Sequence, residues 1–152
     1  MKPSKTGWRV ALAGLMVAGL GSVALAAPAE AVTKPDPKVA IAKDQYTRTQ
    51  CRFTVTSVNL AAGTLRARLT TQTNGYGYGG FRNAHVATSC TLFAGGLVGP
   101  ALAFVYDEAN GPYTYETELF TLPFHFSYDV VAVAAYTLRN GTTGILYGNS
   151  LP

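Results

Sequence analysis

From Thr49 onward, apolar and polar residues alternate with a period of two, and this pattern constrains the fold more than any other feature of the chain. Side chains on a strand point to opposite faces at successive residues, so period-two runs are strands with one face buried. In residues 51–58, Cys51, Phe53, Val55 and Ser57 share one face, while Arg52, Thr54 and Thr56 share the other. Residues 64–72 repeat the pattern, with Leu65, Ala67 and Leu69 opposed to Thr64, Arg66, Arg68, Thr70 and Gln72. The intervening Asn59–Gly63 reads as a turn, which makes the pair a hairpin with one wet face.

Further strands are expected over residues 84–94, with Val86, Cys90 and Leu92 on one face, and over 101–106, started by Pro100. Others are expected over 113–122, 126–138 and 145–147. Residues 107–112 (DEANGP) and 140–144 (NGTTG) are turn sequences. The stretch Val130 to Ala135 (VVAVAA) is apolar at every position, which predicts a strand covered on both faces. About seven short strands with turns between them describe an all-β, antiparallel sandwich or small barrel. In outline this resembles an immunoglobulin-like sandwich. The two cysteines stand closer together than in true immunoglobulin domains and no tryptophan follows the first, so the resemblance covers architecture alone and carries no functional residue.

The first 31 residues read as a secretory signal peptide. Lys2, Lys5 and Arg9 precede an uncharged apolar run from Val10 to Ala26, and small-residue sites follow at Ala24-Leu25-Ala26 and Ala29-Glu30-Ala31. Cleavage after Ala26 or after Ala31 fits. The run is short for a bilayer span and is weakened by Gly14, Gly19 and Gly21. No membrane span is then expected in the mature chain, and the protein is expected to be secreted or associated with the cell envelope. The Ala-rich signal and the Thr/Gly/Ala-rich remainder suggest a bacterial source. Residues 32–48 read as a Pro-rich tether carrying Pro35 and Pro37, and residues 36–43 within it fit either a short helix capped by Asp36 or an alternating strand. The sandwich domain is expected over 49–152.

Removal of the signal takes away Trp8 and three of the 12 basic residues. Nine basic residues then face eight acidic ones, or seven if Glu30 also leaves, so the formal charge of +4 falls to +1 or +2. Such a balance gives no reason to expect nucleic-acid binding. Export also gives the cysteines a meaning: Cys51 and Cys90 are the only two, and an even count outside the cell reads as one disulfide. Both fall on apolar strand faces, so a bridge between packed sheets is the simplest geometry. Closing a loop of about 40 residues stabilises by roughly 3–4 kcal/mol in the chain-entropy picture.

Chemistry has few places to sit. His125, Ser127 and Asp129 contain the residue types of a hydrolase triad, but residues two apart on a strand lie about 6.5–7 Å apart, beyond a direct hydrogen bond. No G-x-S-x-G elbow is present. His85 and His125 have no metal-ligand spacing, and the acidic turn 107–111 does not match a calcium loop. Glu116 and Glu118 read as solvated. No cofactor, metal or catalytic residue is therefore assigned. The binding candidate is the loop from Thr73 to Asn83 (TNGYGYGGFRN), with Tyr76, Tyr78, Phe81 and Arg82 as its contact residues. Tyr gives contact area at low entropy cost, and Gly lets the backbone adapt. Arg66 and Arg68 are either an anion-binding patch or charges that keep an exposed strand from pairing with other chains. The 9 Tyr and 7 Phe all lie after the signal, which favours adhesion or oligomerisation over catalysis. The expected function is a non-enzymatic binding module facing an extracellular protein or a cell-wall glycan. A small inhibitor of a protease or glycosidase, or a small hydrolase, are the alternatives.

Overall fold

Strand alternation becomes two facing sheets in the computed structural model, which describes residues 34–95, 97 and 99–151. The expected signal segment and the first residues of the expected tether lie outside the described residues. Within them the strands are β1 (Lys38–Lys43), β2 (Thr47–Asn59), β3 (Thr64–Gly75), β4 (Asn83–Ala94), β5 (Ala101–Ala109), β6 (Tyr113–Pro123), β7 (Tyr128–Leu138) and β8 (Thr143–Asn149). One turn of 3₁₀ helix, Gly79–Phe81, lies between β3 and β4. The first sheet has the order β1-β2-β3-β6 and the second β5-β4-β7-β8, with every pairing antiparallel.

The core lies between the sheets and is read directly from the alternation. Phe53 and Val55 of β2 and Leu65, Ala67 and Leu69 of β3 are buried on the first sheet. Val86 and Leu92 of β4 and Val130, Ala132 and Ala134 of β7 face them from the second. Cys51 of β2 and Cys90 of β4 form the disulfide, with Cα atoms 5.9 Å apart and both residues fully buried. This separation is ordinary for an unforced bridge. The bond links one sheet to the other near their middles. Phe53 packs against Tyr128 with ring centroids 4.8 Å apart. On the side where β1 and β8 form the sheet edges, Gly148 faces the Ile41 carbonyl and the Ala42 amide so closely that any side chain there would overlap them.

Several expectations change. Residues 38–43 are the strand β1, paired with β2 from Lys38↔Phe53 to Lys43↔Arg48, so the sheet starts ahead of Thr49 and takes in part of the expected tether. Ala40 and Ala42 are fully buried, and that inward stripe of small apolar residues chooses strand over helix. The added strand brings the number to eight among the described residues. The strand order departs from the immunoglobulin arrangement, because here three consecutive strands form a meander closed by β6. β5 continues through Asp107 and Glu108 because both carboxylates find partners. Asp107 accepts from the Thr71 hydroxyl at 2.8 Å, and Glu108 from the Tyr106 hydroxyl at 3.0 Å. β7 begins at Tyr128 and leaves residues 124–127 irregular.

The run Val130 to Ala135 is buried on one face only. Val131 and Val133 are half-buried and Ala135 is exposed. Among the described residues no third layer covers that face. The valines are instead flanked by the outward rings of neighbouring strands, since Val133 pairs with Tyr147, and Ser89, its partner on the other side, pairs with Tyr106.

Candidate functional site

The turn between β1 and β2 builds one wall of the site. The Asp44 carboxylate accepts hydrogen bonds from the backbone amides of Tyr46 (2.8 Å) and Thr47 (3.0 Å), a local side-chain cap that fixes the turn. The Tyr46 carbonyl then accepts the Tyr76 amide at 2.8 Å, where the chain leaves β3. Tyr46 and Phe81 stack with planes 5° apart and centroids at 5.5 Å. On the other side, the Asn140 amide donates to the Gly80 carbonyl (2.8 Å) and the Arg139 amide to the Arg82 carbonyl (2.9 Å). The Gly-Tyr loop is therefore pinned from two directions. Glycine is required at Gly77, where a side chain would overlap the Phe81 carbonyl, and is favoured at Gly79, whose φ is +55°.

A pocket of about 580 Å³ opens beside this loop, lined by Gly75, Tyr76, Tyr78, Arg82, Asn83 and Pro112 among others. Tyr78 is 87% exposed and Tyr76 46%. Arg82 is exposed and has no carboxylate within ion-pair distance among the described residues. Asn83 is buried behind them. Its amide nitrogen donates to the Thr47 hydroxyl at 2.7 Å, while its Oδ1 has no hydrogen-bond partner among the described residues. Such an orphaned acceptor is uncommon in a folded interior.

Of the four residues expected to form a binding loop, Tyr76, Tyr78 and Arg82 come together at the pocket. Phe81 does not join them, because its ring is stacked on Tyr46. Pro112 lies outside the expected loop, and Asn83 is its last residue but not one of the four expected contacts. Pro112 arrives from the β5–β6 turn, far away in sequence, and Asn83 reads as the end of a loop.

Asp44 also accepts a hydrogen bond from the Tyr136 hydroxyl of β7. Burial pushes the Asp44 carboxyl up, but the hydrogen bonds from Tyr136, Tyr46 and Thr47 together outweigh it and hold the group below the ordinary carboxylate value. Burial first, and the hydrogen bond to Asp44 second, push the Tyr136 hydroxyl up to about 12.

The other candidates do not assemble. His125 lies edge-on to Tyr128 with centroids 5.9 Å apart, and the Ser127 carbonyl accepts the Gly95 amide at 3.0 Å. Asp129 accepts from the Ser150 hydroxyl at 3.4 Å. No hydrogen bond links any two of the three. His85 lies between Asn110 (3.1 Å) and Glu108 (3.2 Å) at the sandwich rim. Among the described residues no group of three or more His, Cys, Asp or Glu side chains is arranged to hold a metal ion. No helix among them is long and apolar enough to cross a membrane. Comparison with protein-family models, with curated proteins and with solved structures gives no match.

Proposed function

We propose that this chain is a secreted, non-enzymatic binding module whose ligand site is the pocket between the Tyr76–Arg82 loop and Pro112, and that its ligand is a glycan of the cell envelope. One observation carries the reading: Tyr78 stands 87% exposed on a loop whose backbone is tied to two neighbouring turns. An aromatic ring so exposed contributes little to folding, while a loop already fixed in shape loses little entropy when a ligand arrives. Tyr76 and Tyr78 offer faces on which a sugar ring can stack, and Arg82 offers free donors for hydroxyl or carboxylate groups. The signal sequence and the buried disulfide are compatible with export.

Titration calorimetry with soluble envelope-glycan fragments tests this. Tyr78→Ala is expected to weaken binding by about tenfold or more, the equivalent of about 1.4 kcal/mol, with an unchanged melting temperature. Equal affinity in the variant would remove the pocket from consideration. Inhibition of a protease or glycosidase by the same loop is the second reading, favoured by the pinned backbone. It is separated by assaying such enzymes with and without the protein. The hydrolase alternative gains no support, since no hydrogen bond links any two of His125, Ser127 and Asp129.

A further inference from the structure

The outer face of the β1-β2-β3-β6 sheet collects five cations. Lys43 of β1 pairs with Arg48 of β2, and both point outward because their neighbours Ala42, Thr47 and Thr49 are buried. Arg52 pairs with Thr70, and Arg68 with Thr54, so the two arginines sit one diagonal step apart. Arg66 follows two residues along β3. The β6 residues in register with this face are Thr117, Leu119 and Thr121. Glu116 and Glu118 pair with the buried Thr71 and Leu69 and so belong to the other face of the sheet. No carboxylate-bearing residue of these strands shares the face with the five cations. Among the described residues the one close ion pair is His85–Glu108, in the other sheet.

Protection of a sheet edge does not account for the arginines. β2 and β3 are the inner strands of this sheet and are hydrogen-bonded on both sides. Like charges on opposed positions, such as Lys43 and Arg48, disfavour a sheet, so folding alone gives no reason for the arrangement. The cations form a line. Arg48 pairs with Asn74, and from Asn74 to Arg66 along β3 is roughly 27 Å at about 3.4 Å per residue. Gln50, Gln72, Thr70 and Thr54 lie between the charges. The Arg48 guanidinium donates to the side-chain Oε1 of Gln50 at 2.9 Å, and the Gln50 side-chain Nε2 donates to the Tyr115 hydroxyl at 3.0 Å, which steers Arg48 along the sheet.

We propose that this face is a second binding surface, distinct from the loop pocket, and that it takes a linear phosphodiester polymer of the envelope laid along the strands. Four of the five cations are arginine, whose planar fork of donors matches phosphate oxygens. A line of charges suits an extended chain better than a compact anion. The amides and hydroxyls between the charges suit a polyol or sugar-containing backbone. Tyr115, the aromatic residue beside the stripe, is tied to Gln50, which leaves no stacked platform of the kind single-stranded nucleic acid uses. Arg48 and Arg52 are half-buried and lie low against the sheet, so a flat lipid surface meets fewer of the charges than a chain settling between them.

Fluorescence anisotropy with labelled polyglycerol phosphate tests the proposal on the full mature protein across a salt series. The logarithm of affinity should fall with the logarithm of salt with a slope of about −3 to −4, at roughly 0.7 per neutralised charge. Arg52→Gln with Arg68→Gln should lower affinity by about tenfold or more and bring the slope to about −2. The melting temperature should hold or rise. Arg52→Lys with Arg68→Lys keeps the charge, so it should keep the slope while losing affinity, and this variant stands in if the glutamine pair fails to fold. Tyr78→Ala should leave polymer binding intact, which separates this surface from the pocket. A slope near zero, or an unchanged slope in both double variants, would overturn the proposal. So would equal or tighter binding to oligothymidylate, or to vesicles of equimolar phosphatidylcholine and phosphatidylglycerol.

Discussion

The Tyr136 hydroxyl of β7 donates a hydrogen bond to the Asp44 carboxylate in the β1–β2 turn, and this contact joins the two sheets at the end where the pocket opens. The Asp44 group is held low, so its contribution to stability is present above the ordinary carboxylate value of 3.8 and is lost as pH falls through the lowered folded value. Tyr136 is raised from 10.0 to about 12, so its contribution is complete below pH 10.0 and is lost as pH rises between those two values. Tyr136→Phe should cost about 1–2 kcal/mol at neutral pH, the lower part of the range for a hydrogen bond to a charged group, because Asp44 is exposed. Urea midpoints measured across pH should show a smaller alkaline loss in the variant, the remainder coming from Tyr128 and Tyr106, whose hydroxyls are also raised. The acid loss should shrink and persist, since the two backbone amides still hold Asp44.

Reduction of Cys51–Cys90 should require unfolding, because both residues are fully buried between the sheets. Dithiothreitol in native buffer should leave both thiols unavailable to iodoacetamide, and the same treatment in guanidinium should label two. With the cysteines 39 positions apart in the chain, the chain-entropy contribution is about 4 kcal/mol, and Cys51→Ala with Cys90→Ala should lose at least that much once the emptied space is added.

The interior changes character toward the pocket. The inward stripe of β2 that reads Cys51, Phe53, Val55 continues backward as Thr49 and Thr47, and that of β3 continues from Leu69 as Thr71 and Thr73, all buried. The hydroxyls bond one another: Thr49 to Thr73 at 3.1 Å and Thr73 to Thr88 at 3.3 Å. Thr73→Val alone should cost about 1–3 kcal/mol, because it leaves two buried hydroxyls without their partner. The triple change of Thr49, Thr73 and Thr88 to Val should recover most of that loss. Denaturant unfolding of both variants checks the difference, and additive losses would mean that the three hydroxyls are not coupled.

Those threonines show where sequence reasoning stops. The alternation names the faces of β2 and β3 correctly through Phe53 and Leu69, because burial there is apolar and the strand period carries it. A threonine that faces inward and is satisfied by another threonine looks the same in sequence as one facing water. The inter-sheet disulfide was legible for the opposite reason: two cysteines on apolar faces have one simple partner each. Asn83 and Pro112 were not legible as site residues, since the pocket is assembled by the β5–β6 turn arriving from a distant part of the chain. The outward face of β7 misled because valine favours a strand whether or not a second layer covers it.

The pinned loop makes a last prediction that separates steric demand from backbone preference. At Gly77 an added methyl group would overlap the Phe81 carbonyl, which is backbone and cannot rotate away. At Gly79 nothing stands within 4 Å of the added atom, and only the φ of +55° resists it. Gly79→Ala should therefore cost about 1–2 kcal/mol, the left-handed penalty alone, and keep the pocket. Gly77→Ala should displace the 3₁₀ turn and break the bonds that the Tyr76 amide makes to Tyr46 and the Asn140 amide makes to Gly80. Hydrogen exchange should speed up at Tyr76 and Asn140 in the Gly77 variant and stay slow in the Gly79 variant. The amides of β4 and β7, clamped by the disulfide and the core, should stay protected in both. Equal exchange in the two variants would mean that the loop holds its shape without the contacts assigned to it.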